Sequence, residues 1–300
     1  MKVLLAGASG LLGHALRRGL VANGETVHVL VRREPRDDVE TEWHPERSEL
    51  DAAVLRDVDA VICLSGVNLG RRRWNDQVKR DIVASRVQPV ATLARALAEA
   101  PHRPSVYVTA SGAGCYGDTG RRVIDESASY GNTFLAGVCR LWEGAADPAV
   151  AAGVRVVHLR SGPVLAPTGD LMKRLKPIIW LGLGGPLGSG EQYLPWISLA
   201  DHVAATRFLL TADVAGPVNV TGPDPARNAE VIATMARLMH RPAVLPVPAF
   251  AIRTVLGGMS EEILIGQRAI PKRLLEAGFA FQHPTLEAAL RAALSNQSPV

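Results

Sequence analysis

The sequence predicts an α/β fold: a Rossmann-type, doubly wound parallel sheet with a smaller α-rich lobe at the C-terminal end. Three observations carry that prediction. The first is the run Val3-Leu4-Leu5-Ala6-Gly7-Ala8-Ser9-Gly10-Leu11-Leu12-Gly13, where a short apolar strand leads through glycines at three-residue spacing into a helix. The second is the alternation of strand-like and helical segments through the first half, which implies parallel strands joined by crossover helices. The third is a change of texture after about Gly162, where glycine and proline crowd 182–190 and the later helices shorten. With 300 residues and 47% hydrophobic content, the chain can bury one large core.

Taken in order, residues 14–22 read as an amphipathic helix with Leu16 and Leu20 inward, and 26–31 as the second strand. Residues 60–64, 105–110 and 154–160 read as further strands. Between them, 76–100 carries long helical periodicity softly broken by Pro89, and 134–152 gives a second long helix. Residues 200–210 read as another helix and 218–221 as a last strand. The division expected is a nucleotide-binding domain over 1–225, with a substrate-lobe insertion at about 165–197, and a small lid lobe over 226–300 whose final residues, 295–300, fray.

Composition narrows the classes. The net charge is +4 and the isoelectric point about 9.2, carried mostly by arginine, since only Lys2, Lys79, Lys173, Lys176 and Lys272 are lysines. The dense cluster Arg71-Arg72-Arg73-Trp74 comes without an aromatic platform or a nucleic-acid motif, so it reads as a solvated loop or a clamp on an acidic small ligand. No nucleic-acid partner is expected. No apolar run reaches membrane-span length, so no membrane partner is expected either. Cys63, Cys115 and Cys139 are odd in number and lack metal-type spacing; reduced thiols in a cytoplasmic protein without a metal are the plain expectation. Oligomeric state is not legible.

In a doubly wound sheet, ligands sit beyond the carboxyl ends of the strands, so the residues following each strand carry the chemistry. Gly7, Ser9, Gly10, Leu11, Leu12 and Gly13 form a backbone cradle for a pyrophosphate at a helix N-terminus. Arg32-Arg33 follow the second strand, where an NAD site carries an acidic residue; two guanidinium groups suit an adenosine 2′-phosphate and predict NADP(H). Leu64-Ser65-Gly66, Thr109 and Ser161-Gly162 complete the strand-end cofactor set. Gln192 and Trp196, in and beyond the glycine-rich loop, are candidates for contact with a small-molecule substrate. Asp201 and Ser198 read as helix caps, and His158 as a satisfied core or strand-end histidine.

The chain resembles the extended and atypical short-chain dehydrogenase/reductases, and more closely their "epimerase family" branch of largely uncharacterised NADP-binding proteins. The resemblance runs through the 7–13 glycine turn, Arg71-Arg72-Arg73-Trp74, Ser111 with Tyr116-Gly117, and Cys139-Arg140-Leu141-Trp142-Glu143. It continues in Arg160-Ser161-Gly162-Pro163 and the segments 188–197 and 248–290, the last similar to that branch's C-terminal domain of unknown function. It implies fold and cofactor, and hardly constrains substrate.

The wider superfamily works through a tyrosine and a lysine four residues later, the lysine lowering the tyrosine pKa and holding the nicotinamide ribose. That pair is absent, because none of the five lysines follows a tyrosine at that spacing. What remains as catalytic candidates is Ser111 as a hydroxyl facing the crevice, Tyr116 as an acid or base or else a structural tyrosine, and Arg140 as an oxyanion or ribose holder or else an exposed helix arginine. Ser111 shares its assignment with Gly112, which stands beside it in the same strand end. The leading expectation is an NADP(H)-dependent oxidoreductase or epimerase-like enzyme acting on a small polar molecule. A regulatory NADP(H) binder and a non-redox lyase or cyclase stand beside it.

Overall fold

The computed structural model of the protein describes residues 1–70 and 72–295. In chain order, β1 (Lys2–Ala6), α1 (Leu11–Ala22), β2 (Thr26–Val31) and β3 (Glu40–Glu42) build one side of a sheet. Then β4 (Ala60–Cys63), α2 (Asp76–Glu99), β5 (Val106–Gly112), the short β6 (Val123–Ile124), α3 (Phe134–Gly144), α4 (Asp147–Ala151) and β7 (Arg155–Ser161) build the other. They are followed by β8 (Val164–Leu165), α5 (Asp170–Trp180), β9 (Tyr193–Leu194), β10 (Ile197–Ser198), α6 (Leu199–Thr211) and β11 (Gly216–Val220). The chain ends with β12 (Ala226–Arg227), α7 (Asn228–Leu238), α8 (Ala249–Leu256), α9 (Met259–Leu264), β13 (Arg268–Ala269), α10 (Lys272–Glu276) and α11 (Leu286–Leu294).

Seven strands form the central sheet in the order β11-β7-β5-β4-β1-β2-β3, every pairing parallel. The direction of winding reverses between β1 and β4, which opens a crevice at their carboxyl ends. Strands covered on both faces must be apolar throughout, and Val3 to Ala6 and Ala60 to Cys63 are all fully buried. Leu16, Leu20, Ala205 and Leu209 of α1 and α6 cover one face; Leu93, Leu97, Trp142 and Ala149 of α2, α3 and α4 cover the other. The Rossmann-type expectation therefore holds. A third cluster joins Met172 and Ile179 of α5 to Val231 and Met235 of α7 and Leu290 of α11, forming the helical C-terminal part.

Two local expectations are corrected. The single helix over 134–152 is two, α3 and α4, because Pro148 has no N–H to donate into a continuing ladder and sits instead in the first turn of α4. Pro89 does the reverse: it lies within α2, which runs unbroken for 24 residues. The edge strand β3 and the short pairs β8–β10, β9–β12 and β6–β13 were not legible as strands. Residues 296–300, part of the expected frayed tail, lie outside the described residues.

Candidate active site

The glycine turn is set by close packing. Gly7 has φ +87°, and a Cβ on it would lie 2.6 Å from the Leu64 carbonyl carbon; one on Gly13 would lie 2.1 Å from the Gly7 carbonyl oxygen. These two glycines let the β1–α1 turn lie against β4 and against its own helix. Gly10 differs: its φ of −77° suits any residue, and a Cβ would meet nothing nearer than 3.6 Å. It is the N-cap of α1, with no side-chain cap and no acidic residue in the first turn. The N–H groups of Leu11, Leu12 and Gly13 are thus the unpaired donors of a helix start, with the positive end of the helix dipole behind them.

This helix start opens on a groove of ≈ 930 Å³ lined by Gly7, Ser9 and Gly10, by Leu64, Ser65 and Gly66, and by Arg32 and Arg33. The structure brings these candidates from three strand ends to one wall. His14, Arg17 and Arg72 line the same groove and were not singled out individually. Arg17 lies one helical turn past His14 on α1, a position that a helical projection of the first helix makes visible in hindsight. Arg71 lies outside the described residues.

The two arginines after β2 are unequal. Arg33 forms a bidentate pair with Glu40 of β3 at 2.7 and 2.8 Å and also donates to the Glu34 carbonyl. The Arg33 hydrogen bonds, with the Arg36 N–H, hold the Glu40 carboxyl down at about 2, so it stays ionised. Arg32 is exposed and makes no ion pair among the described residues, leaving its guanidinium open to an anion. In the sequence the two look equivalent, because Glu40 reaches Arg33 only through the β2–β3 register.

A buried polar layer lies near the carboxyl ends of β5, β7 and β11. Ser111 of β5, Arg160 of β7 and Asn219 of β11 are register neighbours across three strands. Glu143 of α3 closes the layer. It accepts two bonds from Arg160 at 2.9 Å each, one from Ser111 Oγ at 2.7 Å and one from Tyr130 Oη at 2.6 Å. Tyr116 Oη accepts from Arg160 at 3.1 Å and donates to Asn219 Oδ1 at 2.6 Å. The Arg160 guanidinium lies 5.1 and 5.0 Å from the Tyr116 and Tyr130 rings. Burial raises the Glu143 carboxyl, but Arg160 and the two hydroxyls outweigh it and bring it below its ordinary value. Burial pushes the Tyr116 phenol well above its ordinary value.

The layer recasts the catalytic candidates. The Ser111 hydroxyl does not point freely into the crevice: its proton is given to Glu143, and the residue is 6% exposed. Tyr116 is buried, with its hydroxyl held between Arg160 and Asn219. Arg140 stands exposed on α3, 5.2 Å from the Tyr130 ring, outside the hydrogen-bonded layer. Cys139 is buried, and desolvation pushes its thiol up to about 11. Gly112, next along β5, would tolerate a Cβ in ordinary contact with Cys139 Sγ at 3.8 Å, the Gly114 nitrogen at 3.9 Å and the Ser161 oxygen at 4.0 Å. Glu143, Arg160, Tyr130 and Asn219 were missed as a set, because their partnership depends on strand order.

Other candidates also separate. Thr109 is fully buried and bonded to His158 at 2.8 Å, so its side chain offers nothing to the groove, and His158 is the satisfied core histidine expected. Ser161 Oγ shares a 2.9 Å bond with His202, and Gly162 is required by packing, since a Cβ would lie 1.5 Å from the Pro195 oxygen. Trp196 is corrected: instead of standing free beside the glycine-rich loop it is 1% exposed, donates its indole N–H to the Asp224 carbonyl and packs in the helical core. Gln192 gives its amide N–H groups to Leu187 and Ile263 while its Oε1 is buried without a partner. Asp201 caps α6 with Ser198, accepting also from the Gln282 and His283 N–H groups. Among the described residues no group of three or more His, Cys, Asp or Glu is placed to hold a metal ion.

Comparison with known proteins agrees with this architecture. Residues 3–224 match the model of the NAD dependent epimerase/dehydratase family, and residues 247–293 match a domain of unknown function (DUF1731). The chain is 45% identical over 290 residues to epimerase family protein Mb2239 of Mycobacterium bovis, covering 96% of each. The crystal structure of human epimerase family protein SDR39U1 (isoform2) with NADPH superposes with a TM-score of 0.90 at 32% identity, over 99% of this chain and 100% of that one. A nucleoside-diphosphate sugar epimerase from Corynebacterium glutamicum superposes with a TM-score of 0.80 at 30% identity, over 98% of this chain and 58% of its own. With the switch-point crevice, the glycine cradle and both family matches in place, the chain belongs to the NAD dependent epimerase/dehydratase family.

Proposed function

We propose that the protein binds NADP(H) in the β1–β4 groove and is an oxidoreductase or epimerase-like enzyme for a small polar molecule. The observation that carries the reading is the uncapped N-terminus of α1, open at Gly10, facing a groove whose far rim holds an unpaired Arg32. The Leu11–Gly13 N–H groups would hold the pyrophosphate, Ser65 and Gly66 would bound the central part, and Arg32 with Arg17 would take the 2′-phosphate. The NADPH bound by the human relative supports the choice of cofactor. When bound, the nicotinamide supplies or accepts a hydride.

The chain's own residues orient rather than react in this arrangement. Glu143, held by Arg160, fixes Ser111 and Tyr130, and that layer fixes the end of β5 against α3. A second reading, a regulatory NADP(H) binder, is favoured by one observation: Ser111 and Tyr116 both have their hydroxyl protons committed to buried partners. NADPH absorbance with a panel of carbonyl substrates separates the two. Consumption supports the enzyme; tight binding with no consumption supports the binder. We place the boundary between the nucleotide-binding part and the C-terminal part at about residue 225.

Arg32→Ala is expected to weaken NADPH binding roughly 10- to 100-fold while barely changing NADH binding, as read by calorimetry. Arg33→Ala should also weaken NADPH, because it leaves the Glu40 carboxylate unneutralised beside the phosphate. Equal losses for both cofactors would reject the 2′-phosphate assignment. Gly10→Val is expected to abolish measurable NADPH binding with little change in melting temperature, since the side chain has room in the protein alone. Retained affinity would show that the cradle holds something else.

A further inference from the structure

We propose that the surface formed by α5, the 182–188 loop and the 241–256 segment docks on an anionic lipid surface. Half of the large exposed apolar side chains among the described residues gather here, among them Ile178, Trp180, Leu183, Val244, Phe250 and Val255. The two segments are stitched into one face. Leu245 N–H donates to the Gly184 carbonyl, Val247 N–H to Pro186, Gly188 N–H to Val247 and Arg241 Nε to Trp180. Trp180, Val244 and Phe250 are 60%, 75% and 70% exposed, so they stand proud of the surface instead of lining a recess.

Charge selects the occupant. Residues 171–190 and 231–260 contain no Asp or Glu, and they carry Lys173, Arg174, Lys176, Arg237, Arg241 and Arg253. Arg237 is paired with Glu287 of α11, and Arg174 donates to the Gly70 carbonyl. Asp170, the acidic residue at the start of α5, is held by Asn68. Lys173, Lys176, Arg241 and Arg253 form no ion pair among the described residues, whereas an ordinary surface mixes both signs. Lys173, Lys176 and Trp180 fall at i, i+3 and i+7, on one stripe of α5, and the Arg241 guanidinium lies 5.6 Å from the Trp180 ring.

An indole and aliphatic side chains that protrude among unpaired cations match the headgroup boundary of a bilayer. There the apolar tips enter the acyl region while lysine and arginine reach anionic headgroups. No described helix is long and apolar enough to cross a membrane, and surface docking needs none. The proposal thus revises the expectation from composition that the chain meets no membrane.

The test is co-sedimentation of the full chain with phosphatidylcholine vesicles, with and without a minority of phosphatidylglycerol, at low and high salt. Binding to the anionic vesicles is expected, with loss at high salt. Lys173→Glu with Lys176→Glu should lower the partition coefficient by about fivefold or more per lysine. Trp180→Ser with Phe250→Ser should abolish binding while thermal melting stays unchanged. No sedimentation of the unaltered chain above the neutral-vesicle level at low salt would overturn the proposal. So would a halving of the solution mass by the Trp180/Phe250 variant, which would assign the face to a second copy of the chain.

Discussion

Replacement of Arg160 by methionine is expected to lower the unfolding free energy by about 3–5 kcal/mol. The side chains of Arg160 and Glu143 are 5% and 7% exposed. With Arg160 gone, the carboxylate keeps only the Ser111 and Tyr130 hydroxyls, and a buried charge is left without its counter-charge. Tyr116 loses a donor in the same step. For a domain stable by about 5–15 kcal/mol, such a loss moves the urea midpoint far down. Adding Glu143→Leu should recover part of the loss, because the cost lies in the orphaned charge rather than in the missing bonds. A single variant weaker by less than about 1 kcal/mol would show that Glu143 is neutral in the fold.

Acidification is expected to remove about 3 kcal/mol of stability as the pH falls from about 6.5 to about 4, and His202 carries that loss. Full burial in α6 pushes its imidazole down to about 4, so it stays neutral in the fold while the unfolded chain takes up a proton near the ordinary value. In that interval the unfolded state binds more protons, so stability is complete above it and declines as pH falls through it. His158, also lowered by burial, adds in the same direction. Urea unfolding at several pH values measures the slope, and His202→Gln should flatten it. An unchanged slope in that variant would place the loss elsewhere.

The parallel sheet and its crevice were legible because each deciding signal is local. Apolar runs such as Val3 to Ala6 and Ala60 to Cys63 declare strands, and the glycines of the 7–13 turn declare a helix start directly after the first strand. The end of α3 was not legible, since a helical period continues through Ala145 and Pro148 reads equally well as an interruption or as a start. The site divided along the same line. Gly7, Gly10 and Gly13 answer to neighbours within the turn or to β4 directly beside it. Ser111 answers to Glu143 and Arg160, brought to it by helix docking and by strand order, and no spacing in the chain announces that. Trp196 failed for a related reason: an aromatic residue near a glycine-rich loop looks available until α7 and α11 cover it.

The return of the tail to the sheet has a consequence for biogenesis. Leu274 of α10 is fully buried in the core of the sheet with Phe279 and Phe281 against it, and Arg273 donates to the Ala215 and Pro217 carbonyls beside β11. β13 likewise pairs with β6, far earlier in the chain. During translation the edge strand β11 must therefore wait for the roughly fifty residues that separate Val220 from Leu274. At ribosomal rates that is about 3–10 s with an apolar flank uncovered. The nascent protein passes through an interval in which its sheet is assembled but not sealed, and that interval is where a holding chaperone has something to bind.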